Sequence, residues 1–137
     1  MILADTGPIV ALFDHDDRYH ELCLQTIQRF HEPLITTWPV LTECFYLLGF
    51  SWEAQNDLWT FLRRGGAEVF PLDRTHFRQC ADLMGQFRDL PMDLADASLV
   101  VAANLLGTPK VFTLDRRDFS AYRFRKNKRF SIHPAKL

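Results

Sequence analysis

Short apolar runs alternate with longer stretches in which apolar residues recur at helical spacing. Ile2-Leu3-Ala4 is a buried-strand pattern that ends in the turn residues Asp5-Thr6-Gly7-Pro8. A short helix through Val10 to Phe13 is expected next. Asp14-His15-Asp16-Asp17 then precedes a helix over 18–30, with Leu22, Leu24, Ile27 and Phe30 on its apolar side. Pro33 ends it, and Leu34 to Thr37 reads as a second strand. Pro39 suits the first turn of a helix that runs to Leu48 and stops at Gly49. Ser51 is a good N-cap for a helix over 52–64, closed by Gly65-Gly66. Val69 to Leu72 is a third strand, at a sheet edge if Pro71 lies in it. Asp73 or Thr75 caps a helix to Phe87, and Met92-Asp93 opens another to Leu106, stopped by Gly107. Lys110 to Leu114 is a fourth strand and Ser131 to His133 a fifth. Strands alternating with helices predict an α/β fold with a mainly parallel central sheet.

Two acids directly follow predicted strands, Asp5 after the first and Asp115 after the fourth. In parallel α/β sheets, ligands bind beyond the carboxyl ends of the strands, so both acids belong at one edge. Asp93 and Asp96, three residues apart, share one face of a helix start. Glu43 sits in an otherwise apolar helix, where a carboxylate either faces solvent or turns inward for a reason. Two unit charges ~4 Å apart repel by about 4 kcal/mol at an effective dielectric of ~20. Several carboxylates brought together need a cation or must take up protons. An all-oxygen set without Cys or His suits Mg²⁺ or Mn²⁺, which bind phosphate oxygens and activate water.

These pieces carry a family likeness. Asp5-Thr6 after the first strand, Glu43, the segment Met92 to Ala103, and Phe112 to Phe119 resemble PIN-domain ribonucleases, and more closely VapC-type toxins of toxin–antitoxin pairs. The likeness covers about residues 1–133, and its strength lies in four weak motifs standing in the right order. It implies one PIN-like α/β/α sandwich over residues 1–137. It also implies Mg²⁺- or Mn²⁺-dependent cleavage of RNA phosphodiesters by an acidic quartet of Asp5, Glu43, Asp96 and Asp115. Asp5 and Asp96 are then the main metal ligands, and Glu43 and Asp115 complete the site or orient the attacking water. Thr6 is expected to bond to Asp5 or to the scissile phosphate, and Asp93 is an accessory acid. A small antitoxin protein and a homodimer are the partners implied. Gly7 departs from the family, which often has Ser or Thr there. Two alternatives stay open: a solitary PIN ribonuclease without an antitoxin, and a PIN-fold binding module without catalysis.

Other chemistries fit less well. Asp5-Thr6-Gly7 is the triplet of aspartic proteases, but those are nearly all β. A phosphatase of the haloacid-dehalogenase type needs a second Asp where Gly7 stands. His20-Glu21 and His31-Glu32 start H-E-x-x-H motifs that Leu24 and Ile35 break.

Charge adds one further feature. The net charge is −1, yet residues 1–114 hold eight Lys and Arg against fifteen Asp and Glu, and residues 115–137 hold eight against two. The basic tail is either a solvated connector or a contact for RNA phosphates, with Tyr122, Phe124 and Phe130 available for stacking. Arg116 and Arg117, beside Asp115, are its best RNA-contact candidates. The rings of Trp38, Phe45, Tyr46, Phe50, Trp52, Trp59 and Phe61 read mostly as core, and an exposed patch among them would mark a partner surface. The apolar and charged shares, 47% and 24%, are those of a globular chain and exclude a disordered one. No secretory signal or membrane-spanning run is apparent. Three scattered cysteines without C-x-x-C argue for a reduced, cytoplasmic protein.

Overall fold

The computed structural model describes residues 1–137. Five strands form one parallel sheet: β1 (Ile2–Ala4), β2 (Leu34–Thr36), β3 (Ala67–Val69), β4 (Lys110–Phe112) and, last in the chain, a strand at Ser131–His133. The order across the sheet is β3-β2-β1-β4 and then the last strand, with Leu3 paired to Ile35 on one side and Val111 on the other. β1 and β2 are buried throughout, as expected where helices cover both faces of a parallel sheet. The architecture is the three-layer α/β sandwich that the alternating pattern predicts.

Seven helices follow in order: α1 (Thr6–Phe13), α2 (His20–Gln28), α3 (Trp38–Leu47), α4 (Trp52–Arg63), α5 (Phe77–Gln86), α6 (Leu94–Leu106) and α7 (Arg116–Ala121). α6 is the central one. Eight of its thirteen residues are buried, mostly Ala and Val, and a helix apolar on nearly every side belongs inside. Its small side chains let it lie against α3, α5 and β1. Gly107 closes α6 at φ +72, the left-handed C-terminal position that Gly fills without strain. We expect Gly107→Ala to cost about 1 kcal/mol, through the backbone alone. The added Cβ would stand 2.9 Å from the Arg125 guanidinium, which is the far end of a flexible side chain. Urea denaturation checks this; a loss well above that would mean the hairpin beyond Arg125 cannot adjust.

Several boundaries differ from the sequence reading. α1 starts at Thr6 rather than near Val10, because the Asp5 side chain accepts from the Thr6 N–H and caps it. α2 starts two residues late because the Asp17 carboxylate takes the Tyr19 N–H in a local turn. β3 lies at 67–69, at a sheet edge, and Pro71, on which the expectation of an edge rested, is outside the ladder. A single 3₁₀ turn at Arg74–His76, capped by Asp73, precedes α5.

The basic tail is ordered structure, not a connector. It contains α7 and an antiparallel hairpin of β5 (Arg123–Phe124) and β6 (Lys128–Arg129), and it ends in β7, the Ser131–His133 strand. Phe119, Tyr122, Phe124 and Phe130 are all buried and pack edge to face, Phe119 with Tyr122 at 5.1 Å and with Phe130 at 5.6 Å. The tail aromatics are therefore anchors, not stacking platforms. They join one hydrophobic cluster of 28 buried residues. In α3 and α4 the opposite holds. Phe45 and Trp59 stack at 4.4 Å, but Trp38, Tyr46, Phe50 and Trp52 are 57–83% exposed, because they lie on the solvent side of the two helices or, for Phe50, in the turn between them. The expectation that these rings are mostly core is thereby corrected. No helix is long and apolar enough to cross a membrane.

Candidate active site

The aspartates converge because they lie at a strand end or a helix start at the same sheet edge, and Glu43 joins them from within α3. Asp5 caps α1, Asp93 caps α6 and Asp115 caps α7, each through a side-chain oxygen. Capping fixes a carboxylate at a helix N-terminus, where the peptide dipoles favour negative charge. The capping role and a role at the site therefore coexist in the same residues. Together with Glu43, Asp96 and Asp118, these three acids line an open depression of about 590 Å³. Its lining holds six carboxylates, the Thr6 and Gly7 turn, Leu47, Pro91 and Leu114, and no Lys or Arg.

Asp5 is the most enclosed acid. Its Oδ1 accepts from the Thr6 N–H at 2.8 Å and its Oδ2 from the Thr113 hydroxyl at 2.7 Å. Burial raises its pKa to about 6, with further upward pressure from Asp115 and Glu43 and partial relief from the Thr113 and Thr6 bonds. Asp96 is raised to about 7, first by burial and then by Asp5 and Asp93. Its Oδ2 accepts from the Tyr122 hydroxyl at 3.0 Å, and its N–H donates to Asp93 at 2.8 Å. Burial and Asp115 raise Asp118 as well. A depression that holds Asp5 and Asp96 this far above their ordinary range, with no basic residue in its lining, is electrostatically short of a cation.

All five sequence-predicted acids and Thr6 meet here, with Asp118 as a sixth acid. Thr6 bonds to Asp5, one of the two partners expected of it, and also reaches a second acid. Its backbone N–H serves Asp5, while its hydroxyl donates to Glu43 Oε1 at 2.8 Å, so it orients the helix-borne carboxylate. Arg116 is half-buried and donates to the Pro134 carbonyl at 2.8 Å, whereas Arg117 is exposed. Sequence reading missed Thr113 and Tyr122. Thr113 joins two acids, since it donates to Asp5 and accepts from the Asp115 N–H at 2.9 Å. Its position two residues before Asp115 is a signal that spacing offered. Tyr122 is linked to Asp96 only through tertiary packing.

The donor set consists of hard oxygens, the chemistry that Mg²⁺ and Mn²⁺ select. As placed, no three carboxylates form a ready-made cage for an ion. An open arrangement still fits Mg²⁺, which keeps several waters and takes one or two carboxylates plus substrate phosphate oxygens. Asp5 and Asp96, the two acids raised most and repelling each other, are the pair such an ion would relieve.

Comparison with known proteins agrees with this geometry. The chain is 28% identical over 135 residues to Ribonuclease VapC26 of Mycobacterium tuberculosis, an alignment covering 97% of this chain and all of the relative. The crystal structure of Mycobacterium tuberculosis VapC20, described as a Sarcin-Ricin loop cleaving toxin, superposes with a TM-score of 0.73. That match covers 81% of this chain and 87% of VapC20 at 16% identity, and it bears on the fold alone. The PIN domain model matches residues 2–125, a span holding the whole sheet except its last strand and every acid of the depression, and the chain therefore belongs to the PIN domain family.

Proposed function

We propose that this protein is a metal-dependent endoribonuclease that hydrolyses RNA phosphodiester bonds as the toxin of a toxin–antitoxin pair. The observation that carries the reading is the depression itself: six carboxylates, no neutralising cation among its lining residues, and two acids raised to about 6 and 7. A binding module gains nothing from assembling charges that repel one another, whereas a nuclease gains a cation site. The relative that aligns over nearly the whole chain is named as a ribonuclease, which supports RNA as the substrate class.

A bound Mg²⁺ or Mn²⁺ supplies Lewis acidity and charge neutralisation to the phosphate. Asp5 and Asp96 would hold it. Tyr122 and Thr113 fix those two carboxylates through the hydroxyls described above. Glu43, aimed by the Thr6 hydroxyl, and Asp115, whose neighbour Thr113 binds its backbone, orient the attacking water in line with the departing oxygen. Arg117, exposed beside Asp115, meets a flanking phosphate in this reading. The exposed rings of Trp38, Tyr46, Phe50 and Trp52 form the surface offered to a protein partner, either the antitoxin or a second copy of the chain. The setting is the cytoplasm.

The test is cleavage of a mixed set of structured RNAs with Mn²⁺ or Mg²⁺. Cleavage is expected with either ion and is abolished by EDTA. Cleavage that persists in excess EDTA overturns the metal-dependent mechanism.

A further inference from the structure

The hairpin presents the basic tail on a rigid frame. Phe124 and Phe130 anchor it from below, 6.3 Å apart, and the Arg125 N–H donates to Asn104 of α6 at 2.8 Å. At its tip Arg125 and Lys126 have φ of +48 and +71, the left-handed region that ordinarily selects Gly or Asn. Two long cations at positions that disfavour them point to a need for charge rather than for turn chemistry. No hairpin cation takes part in any of the four ion pairs of the molecule. Arg123 spends one nitrogen on the carbonyls of Ser120, Ala121 and Tyr122 at 2.8–3.0 Å and keeps its other N–H groups.

Beside the hairpin lies a recess of about 470 Å³ between α5 and α6, well within the size range of small-ligand sites. Arg123 and Lys126 stand at its side. Phe87 supplies a half-buried ring, and Gln79, Gln86 and Asn104 bring side-chain amides, each able to donate and accept. The single acid, Asp82, is partnered by Arg78 at 4.0 Å. Phe87 also packs at 5.1 Å on Tyr122, whose hydroxyl donates to Asp96 at 3.0 Å, so Tyr122 links a residue of the recess to an acid of the depression. Asn104 lies eight residues beyond Asp96 on α6, about 12 Å along the axis.

We propose that this recess is a second RNA subsite, which takes one nucleotide of a single strand outside the cleavage site. Its base lies against Phe87 and the Gln79 and Gln86 amides, and its phosphate lies on Lys126 and Arg123. Cations beside a ring and flat amides suit a nucleotide better than an acidic peptide, which has no use for the ring. The proposal rests on the RNA-cleaving reading and adds substrate positioning to it.

The test is fluorescence anisotropy with a dye-labelled single-stranded RNA of about twelve nucleotides, in EDTA, over a salt series. Lys126→Gly removes one charge and relieves the positive φ. It is expected to weaken binding about threefold at ~0.1 M salt and to reduce the log–log salt slope by about 0.7, while Tm rises by roughly 2–4 °C. The double variant Gln79→Ala/Gln86→Ala is expected to weaken binding with the slope unchanged. In the cleavage assay both raise KM and leave kcat alone. Parental affinity in both variants, or failure of the parent to bind the probe at low salt, overturns the subsite; a protein partner would then be the occupant to seek. If the variants weaken binding but no RNA is cleaved, the catalytic reading fails and the subsite stands.

Discussion

Asp5→Asn is expected to lower RNA cleavage on the order of a thousandfold or more, while the protein stays folded. The size follows from removing one charged group from the reacting centre. The fold survives because Asn keeps the shape. Its carbonyl still takes the Thr6 N–H, and the Thr113 oxygen, which already accepts from Asp115, has a second lone pair for the new amide. Asp96→Asn should cost as much, since the same ion would sit between the two. Groups that act as a unit are not additive, so the double variant should lose little more than either single one. Asp118→Asn is the contrast. Asp118 lines the depression, but its N–H serves mainly to close the Asp115 cap at 3.1 Å, and a loss within about tenfold is expected. Initial rates on a cleaved RNA, with circular dichroism of each variant, decide the matter. Full activity in folded Asp5→Asn protein would remove Asp5 from the mechanism.

Most of the site was legible in the sequence because it follows from local rules. A strand that ends in Asp, with a helix starting one residue later, places that Asp at the sheet edge twice over, as a strand end and as an N-cap. Asp5 obeys this rule outright and Asp115 nearly so. Asp93 and Asp96 obey the helix-start half of it, each taking the other's backbone N–H. Parallel strand order then brings β1 and β4 together as neighbours, and the acids meet. What stayed hidden depends on packing across long separations. Nothing near Tyr122 announces that its hydroxyl reaches a carboxylate 26 residues earlier. α7 has only six residues, too few to show a period. The hairpin turn lacks the Asn-Gly or Asp-Gly that marks such turns, since Arg125 and Lys126 hold the positive φ positions. The rings of α3 and α4 misled for a related reason: apolar composition says what a residue prefers, and the solvent faces of these helices override it.

The raised acids also make stability depend on pH in an unusual direction. The folded state holds Asp5 at about 6 and Asp96 at about 7, against an ordinary value near 3.9. Between those limits the native protein binds more protons than the unfolded chain, so stability falls as pH rises from about 4 to about 7. Asp5 alone accounts for a loss on the order of 3 kcal/mol across that window, and Asp96 adds to it in the same sense. A divalent cation binds only the ionised, folded site, so its stabilisation must appear above that window and vanish below it. At a hundred times its dissociation constant it contributes about 2.7 kcal/mol, which offsets most of the Asp5 loss. In thermal melts, Mn²⁺ or Mg²⁺ is expected to raise Tm by roughly 10 °C at pH 7.5 and hardly at all at pH 5. Asp5→Asn should reverse the pattern, with a higher metal-free Tm than the parent at pH 7.5 and little response to either ion. A parent whose metal-free Tm climbs from pH 4 to pH 7, or an Asp5→Asn variant that keeps the full metal response, would show that the strain of these carboxylates is relieved elsewhere.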